Sequence, residues 1–444
     1  MRKAVLIGMA ALVAALVGAA GAQARLDTSF GVEGVAAVNP PFPPGWTNEA
    51  VTQIATGQEG ETYVVAHQRN DSCVTFPCPQ GDYVFRYLAS GALEPAFAAG
   101  RGFEIPSEST AAGGYYRVGQ ALVAVDSTGL PILARTVLPE KEEGAGAIVV
   151  RRLLTDGELD TSFGAGGAVR LPCPCERENS QLLAGPRGSS FIVSTSKTRR
   201  KRQGKKPGVT ATATLIKLDS SGHRAKDYGT RGSVTAPMPG EGEIEYDAIT
   251  PAGSTYFGGR GLTSATDAGY LLRVSAKGRI DTRFDRRATK ALKRLNGIKG
   301  NEVRVTAAVI GRRGPVELFG SAGSIGGFEL RLNHDGTLRR GWAEQGLALL
   351  PFQVSAAIQG REGSTMALTG GEATAPHLLR ILSKGKLDPA FGKTGQTLPG
   401  ATGESGYSLY PAGLGRVGIG DLGLRECRQV CEAAAKLYRF LEGR

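Results

Sequence analysis

Short stretches of alternating apolar and polar residues recur along most of the chain, separated by glycine-bearing turns. Val51–Thr56 and Thr62–Ala66 flank Gly60, and Leu122–Val125 and Ile132–Ala134 flank Gly129. Weaker pairs surround Gly188, Gly253, Gly314 and Gly363. A period of two sends successive side chains to opposite faces of a strand, so these stretches predict paired β-strands joined by tight turns. A further short apolar strand is expected at the head of each unit, as at Val35–Val38, Ala168–Leu171 and Leu347–Leu350. Helical periodicity is scarce, and its clearest instance past the N-terminal segment is Glu426–Lys436.

Between these strand pairs lies a twelve-residue motif that aligns without gaps in six places: 86–97, 152–163, 217–228, 273–284, 331–342 and 380–391. Each copy opens with a basic residue, places glycine sixth and ends on an aromatic ring. Apolar neighbours flank the basic residue, for example Leu272 and Val274 around Arg273, so the motif begins as a strand. A polar pair with glycine follows, as in Asp156-Gly157, and this is turn chemistry. The next segment reads Leu-Asp-x-x-Phe in several copies. Its leucine and aromatic residue are expected to anchor the connection in the core. Its aspartate is expected to cap the turn or to pair with the basic residue eight positions earlier.

The two ends of the chain complete a seventh copy. Residues 25–30 match the last six motif positions, and 439–444 match the first six with Gly443 one place early. A linear stack has no reason to split a repeat between its termini, whereas a closed ring does. Seven motifs and four short strands per unit predict an all-β, seven-bladed β-propeller of four-stranded blades, occupying 25–444 as a single domain.

The motif resembles the delta-60 repeat family, through Leu26-Asp27-Thr28-Ser29-Phe30-Gly31, Leu159-Asp160-Thr161-Ser162-Phe163-Gly164 and Leu387-Asp388-Pro389-Ala390-Phe391-Gly392. The resemblance spans essentially all of 25–444 and implies an exported propeller-like repeat protein, with no activity attached. Several copies depart from it. Glu94 stands for Asp; Arg224, Ala225 and Tyr228 for Leu, Asp and Phe; Asp285 for Gly; Arg339 and Trp342 for Asp and Phe.

The first residues change the picture by fixing a compartment. Met1-Arg2-Lys3 is basic, Ala4–Ala20 is apolar and uncharged, and Ala22-Gln23-Ala24 has small residues at the spacing of a signal-peptidase site. Residues 1–24 therefore read as a cleaved signal peptide rather than a retained anchor, and the protein as secreted or associated with the cell envelope. No later segment is apolar enough to span a membrane. The formal net charge of +12 suits encounters with acidic cell-wall or extracellular polymers and says nothing about fold.

Export and an even count favour structural disulfides within the sequence-local pairs Cys73 and Cys78, Cys173 and Cys175, and Cys427 and Cys431. The run that includes Lys197, Arg199, Arg200, Lys201, Arg202, Lys205 and Lys206 is a possible polyanion contact. It reads more simply as a solvated connection between two strands of the third blade. The seven basic residues of the motif, Arg86, Arg152, Lys217, Arg273, Arg331, Arg380 and Arg439, must form a ring. Internal pairing with carboxylates accounts for them better than an anion-collecting circle, because an unpaired charge between blades is costly. No nucleophile elbow, metal-ligand pair or phosphate loop occurs, so no catalytic residue, metal or cofactor is expected. The acidic stretch Glu241–Asp247 reads as loop surface. These features favour an exported binding or scaffold protein. The alternatives are a polysaccharide-directed hydrolase or lyase with carboxylates at the channel mouth, and a structural component of the envelope.

Overall fold

A computed structural model describes residues 25–442 except 71, 73–79, 107–115, 140–145, 174–179, 203–204, 240–241, 261–268, 294, 296–302, 312–314, 323–325, 370–375, 392–395, 398–406, 413–415 and 422–434. The strands form seven antiparallel sheets, each a blade of a β-propeller. Blade 1 comprises Trp46–Thr56, Thr62–Asn70, Gln80–Tyr87 and Phe103–Glu104. Blade 2 has a first strand in two pieces, Tyr116–Val118 and Leu122–Val125, then Pro131–Pro139, Gly146–Arg152 and Ala168–Cys173. Blade 3 is Ser180–Ala184, Ser190–Arg202, Lys205–Leu218 and Ser233–Met238. Blade 4 is Tyr246–Ile249, Thr255–Arg260 and Gly269–Val274. Blade 5 is Val303–Ile310, Val316–Ala322, Gly327–Leu332 and Leu347–Leu350, and blade 6 is Val354–Gln359, Thr365–Thr369, His377–Ile381 and Gln396–Thr397.

Blade 7 closes the ring from both termini. Tyr407–Pro411, Arg416–Asp421 and Ala435–Leu441 come from the end of the chain, and Arg25–Leu26 and Val35–Val38 come from its start. Arg25 pairs with Leu441 and Val38 with Ala435. The split motif is made whole here. The Asp27 N–H donates to the Arg439 carbonyl at 2.8 Å, the same bond that Asp160 makes to Arg152 within one continuous copy at 2.9 Å. The first strand of each blade touches that of the next, and the seventh touches the first.

In one respect the units are phased differently from the sequence pattern. The short apolar strand expected to head a unit is the outer strand of the blade before it: Ala168–Cys173 pairs with Gly146–Arg152, and Leu347–Leu350 with Gly327–Leu332. A periodic sequence carries no mark of where one sheet ends, and hydrogen bonding alone sets that boundary.

The motif binds each blade to the next. Its aromatic residues Phe30, Phe97, Phe163, Tyr228, Phe284, Trp342 and Phe391 are all buried, while its leucines are half-buried. The guanidinium of Arg152 lies 4.9 Å over the Phe163 ring, that of Arg331 4.4 Å over Trp342, and that of Arg439 4.1 Å over Phe30. Each arginine also reaches the fourth motif residue of the following blade. Arg86 donates to the Thr155 carbonyl (3.3 Å), Arg331 to Ser383 (3.1 Å) and Arg380 to Glu442 (2.9 Å). Arg152, Arg273 and Arg439 reach Ser220, His334 and Ala89 in the same way. Hydrogen bonds from a charged donor contribute about 1.5–3 kcal/mol each. Lys217, whose ammonium lies 5.6 and 5.8 Å from the Phe191 and Tyr228 ring centres, makes no such bond.

The sixth-position glycine is required by the same seam. Gly157 has φ +87°, and a Cβ there would lie 2.7 Å from the Ala98 nitrogen of the preceding blade. That nitrogen donates to the Asp156 carbonyl at 2.6 Å, a second strut between the two blades. Both left-handed backbone and lack of space exclude other residues.

Blade 4 differs. Where glycine follows the aromatic residue in the most regular copies, Asp285 follows Phe284, and the chain continues as helix α1, Thr282–Leu292. Asp281 caps it by accepting the Phe284 N–H at 2.9 Å. Phe284, Ala288, Ala291 and Leu292 form its buried face at helical spacing. Among the described residues this blade has three strands, and α1 follows in place of the outer one. Of the helix expected at Glu426–Lys436, residues up to 434 lie outside the described residues, and Ala435 and Lys436 begin a strand.

Phe163→Ala removes a fully buried ring from beneath Arg152, and is expected to lower unfolding free energy by about 3–5 kcal/mol in denaturant titration. Lys217→Arg supplies the missing strut to the Ala276 carbonyl and is expected to raise it by about 1 kcal/mol. A neutral or destabilising outcome for Lys217→Arg would mean that these arginines do not tie blade to blade.

Candidate functional site at the mouth of the ring

Antiparallel order gives the ring two unlike faces. The turns between first and second strands share one face with the motif turns, since Arg439 donates both to Gly60 and to Ala89. The first strands therefore begin at the other face, here called the mouth. At the mouth of blades 4, 5 and 6 a cleft of about 380 Å³ is lined by Glu245, Arg304, Thr306, Ser321, Gln353 and Ser355.

Local sequence explains how these side chains converge. Glu245 immediately precedes the first strand of blade 4, where the Tyr246 hydroxyl donates to the Tyr270 carbonyl (2.6 Å) and the Tyr270 hydroxyl to the Glu243 carbonyl (2.9 Å). The connection can lie this close only because Gly259 has no side chain: a Cβ would stand 1.9 Å from the Glu243 oxygen. Gly320 does the same for blade 5, where a Cβ would meet the Arg304 carbonyl at 1.9 Å. Arg304 Nε pairs with Glu245 Oε1 at 3.3 Å across the blade boundary. Thr306 donates to the Val354 carbonyl and Ser355 to the Leu368 carbonyl (3.1 Å), so each hydroxyl has spent its proton and keeps its oxygen as an acceptor.

Two residues beyond Glu245, within that first strand, lies Asp247, whose register partner is Phe257. Protein surrounds its carboxyl although the residue keeps some solvent contact, and this desolvation pushes its pKa up to about 7. The stretch expected to be loop surface thus holds the structured part of the site. Glu243 pairs with Lys197 (3.2 Å), Glu245 with Arg304, and Asp247 sits inside the first strand. Alternation at 243, 245 and 247 was the signal available in sequence.

A second polar cluster near the mouth joins blades 1 and 2. Buried Asp82 accepts from His67 Nδ1 at 2.8 Å and pairs with Arg135. Burial, and then neighbouring Arg151, push the Arg135 guanidinium down to about 10.

The basic run does not form an irregular connection. Its residues up to Arg202 and from Lys205 continue the two central strands of blade 3 as a two-stranded ribbon, with Arg199 opposite Val209 and Arg202 opposite Lys205. Among the described residues, the neighbouring strands pair with them only as far as Ser180 and Met238. Cys173 is buried and disulfide-bonded. Cys73, Cys78, Cys175, Cys427 and Cys431 lie outside the described residues. Among the described residues, no group of three His, Cys, Asp or Glu side chains could hold a metal ion, and no helix is long and apolar enough to cross a membrane. The ring of basic motif residues is a set of seam contacts, with Arg152, Arg331, Arg380 and Arg439 buried.

Asp247 makes a signed prediction. Its folded pKa lies above the unfolded value, so its ionisation costs stability progressively from about pH 4 to pH 7 and levels off beyond. Asp247→Asn is expected to raise the melting temperature by an amount that grows over that interval. Equal gains at pH 4 and pH 8 would show that Asp247 is not desolvated.

The β-propeller family described as a domain of unknown function, DUF5122, matches residues 141–163, the third strand and motif of blade 2. No curated protein matches the chain. Among solved structures, the BP39L lectin from Burkholderia pseudomallei is similar at 10% identity and TM-score 0.47, covering 90% of this chain and 97% of that one. A protein of unknown function from Dyadobacter fermentans is similar at 14% identity and TM-score 0.40, covering 74% and 95%. The PQQ-bound aldose sugar dehydrogenase from Streptomyces coelicolor is similar at 13% identity and TM-score 0.39, covering 92% and 97%. The seven sheets and the motif they share make this chain a repeat-built β-propeller.

Proposed function

We propose that the protein is an exported binding propeller that holds a carbohydrate chain at the mouth cleft of blades 4 to 6. The lining of that cleft carries the reading: a carboxylate, a guanidinium, an amide and three hydroxyls converge from three blades. Sugar hydroxyls donate and accept at once, and this mixed set answers both needs. Gln353 and Ser321 make no hydrogen bond through their side chains among the described residues, so both are available to a ligand.

The export half of the proposal draws on residues 1–24, with their basic start, apolar run and Ala22-Gln23-Ala24. The described part of the strand that closes the ring begins at Arg25, so cleavage after Ala24 would remove none of its described pairs. The delta-60 resemblance of the repeat and the disulfide at Cys173 support the same compartment. We assign local pairing to the remaining cysteines and a surface role to the ribbon that begins at Lys197. A second reading, hydrolysis of an extracellular polysaccharide, is favoured by Asp247, an acid raised to about 7 two residues from Glu245.

Binding to a panel of immobilised envelope polysaccharides tests the proposal. Arg304→Ala and Gln353→Ala are each expected to weaken capture about tenfold, the size of one lost polar contact, with melting temperatures unchanged. Capture unaffected by both changes would place ligand recognition elsewhere. Recovery of shortened chains, abolished by Asp247→Asn, would favour hydrolysis.

A further inference from the structure

The repeat permits each seam to be compared with the others at matched positions. Four positions surround the groove where one blade's motif meets the next blade's turn. They are the eighth motif residue, the residue before the glycine that opens the outer strand, and the fifth and seventh motif residues of the next blade. Between blades 7 and 1 these are Leu26, Glu33, Ser90 and Ala92; between blades 2 and 3 they are Leu159, Gly166, Ser221 and His223. Between blades 5 and 6 they are Leu338, Gln345, Lys384 and Lys386. Between blades 1 and 2 they are Leu93, Arg101, Asp156 and Glu158.

Between blades 3 and 4 all four are cations: Arg224, Arg231, Lys277 and Arg279. All four are exposed, and none makes an ion pair or a side-chain hydrogen bond among the described residues. They line a cleft of about 830 Å³ in which Asp227 is the single carboxylate. This is also the seam whose strut is missing, because Lys217 replaces arginine and Ala225 replaces the motif aspartate. Arg224 occupies the place of an apolar anchor: a Cβ on Gly232 would lie 2.6 Å from its Cβ, as one on Gly34 would lie 2.5 Å from the Cβ of Leu26. Here the repeat has exchanged a seam contact for a solvent-facing charge.

We propose that this cleft is a second binding site, on the face opposite the mouth, for a glycan chain bearing sulfate or phosphate esters. Four unpartnered cations against one carboxylate select closely spaced oxyanions. Thr230, Ser233 and Thr235 add hydroxyl-bearing side chains suited to sugar hydroxyls. Among the described residues no aromatic side chain lines the cleft, and such a lining offers no stacking surface of the kind single-stranded nucleic acid uses. The site is independent of the mouth cleft and of the ribbon of blade 3.

Other seams supply test substitutions the fold already accepts. Arg224→Leu, Arg231→Gly, Lys277→Ser and Arg279→Thr, made together, are expected to weaken binding of fluorescent dextran sulfate or of poly(glycerol phosphate) about tenfold or more, without lowering the melting temperature. The two probes tell sulfate from phosphate esters. The pair Lys277→Ser and Arg279→Thr is compared with Lys384→Ser and Lys386→Thr, which removes the same charge from the same positions of another seam. The first pair is expected to lose several-fold more affinity than the second. Equal losses would show that net charge alone attracts the polymer and would overturn the site. So would binding by the fourfold variant within about twofold of the parent. Tighter binding of a single-stranded oligothymidylate of equal charge, lost in the fourfold variant, would overturn the ligand class.

Discussion

At six of the seven blade boundaries, a single guanidinium ties one blade to the next. In its complete form, at Arg152, the flat face rests on the aromatic ring that ends the motif, one edge meets Asp160 at 2.6 Å, and a further nitrogen reaches the next blade's turn. Lysine has the charge but neither the planar face nor the fork, so the substitution at Lys217 gives up the strut. A cation buried between blades demands an acid nearby. Asp160 meets that demand while its other oxygen accepts the Ser162 N–H and hydroxyl. Burial alone would raise the Asp160 pKa; the Ser162 and Arg152 contacts outweigh it and hold the group below the usual range. In blade 5, where Arg339 takes the aspartate's place, Glu329 from the strand of Arg331 itself and Glu317 from the neighbouring strand pair with Arg331. Burial, and then the proximity of the two carboxylates, raise Glu329 to about 8 despite Arg331. The charge balance of the seam is thus kept by different residues when the motif is broken.

This contact leaves the two faces under unequal constraint. At the motif face, the arginine, the aromatic ring and the sixth-position glycine all touch a neighbouring blade, so a change in any of them disturbs two blades. At the mouth, the polar contacts among the described residues differ from one boundary to the next: Gln120 to Thr52, Thr136 to Ser180, Thr306 to Val354. Among the described residues, Lys197 to Glu243 and Glu245 to Arg304 each stand at a single boundary. A residue demanded seven times serves the ring, whereas a residue present once at a converging edge is free to serve a ligand.

The fold was legible in sequence because its organising contact repeats: basic residue, glycine and aromatic stand at fixed spacing, and the split copy at 25–30 and 439–444 announces closure. What the repeat could not carry was missed. The onset of α1 turns on the single exchange to Asp285 where glycine follows the aromatic residue in regular copies, and no long apolar period precedes it. The candidate cleft joins Glu245, Arg304 and Gln353, residues far apart in the chain whose meeting depends on ring curvature rather than on local pattern. The acidic stretch was visible but read as surface, because sequence alone does not show that Gly259 admits it against a strand. The basic run was visible as charge, while its ribbon pairing from Lys197 to Arg202 has no apolar alternation to betray it.

Departures from the motif therefore carry more functional information than its fidelity does. At blade 4, loss of the glycine is compensated locally: Asp281 exchanges a turn for a helix cap, and Arg273 keeps its place over Phe284 at 4.8 Å. At blade 5, loss of the aspartate is compensated from outside the motif, by Glu317 and Glu329. At the seam between blades 3 and 4, three changes accumulate, at Lys217, Arg224 and Ala225, and no described residue restores the strut. A buried aromatic pair, Phe191 and Tyr228 with ring centres 5.5 Å apart, still fills the interior there. Packing is thus preserved while the polar part of the contact is given up and cations collect at the rim.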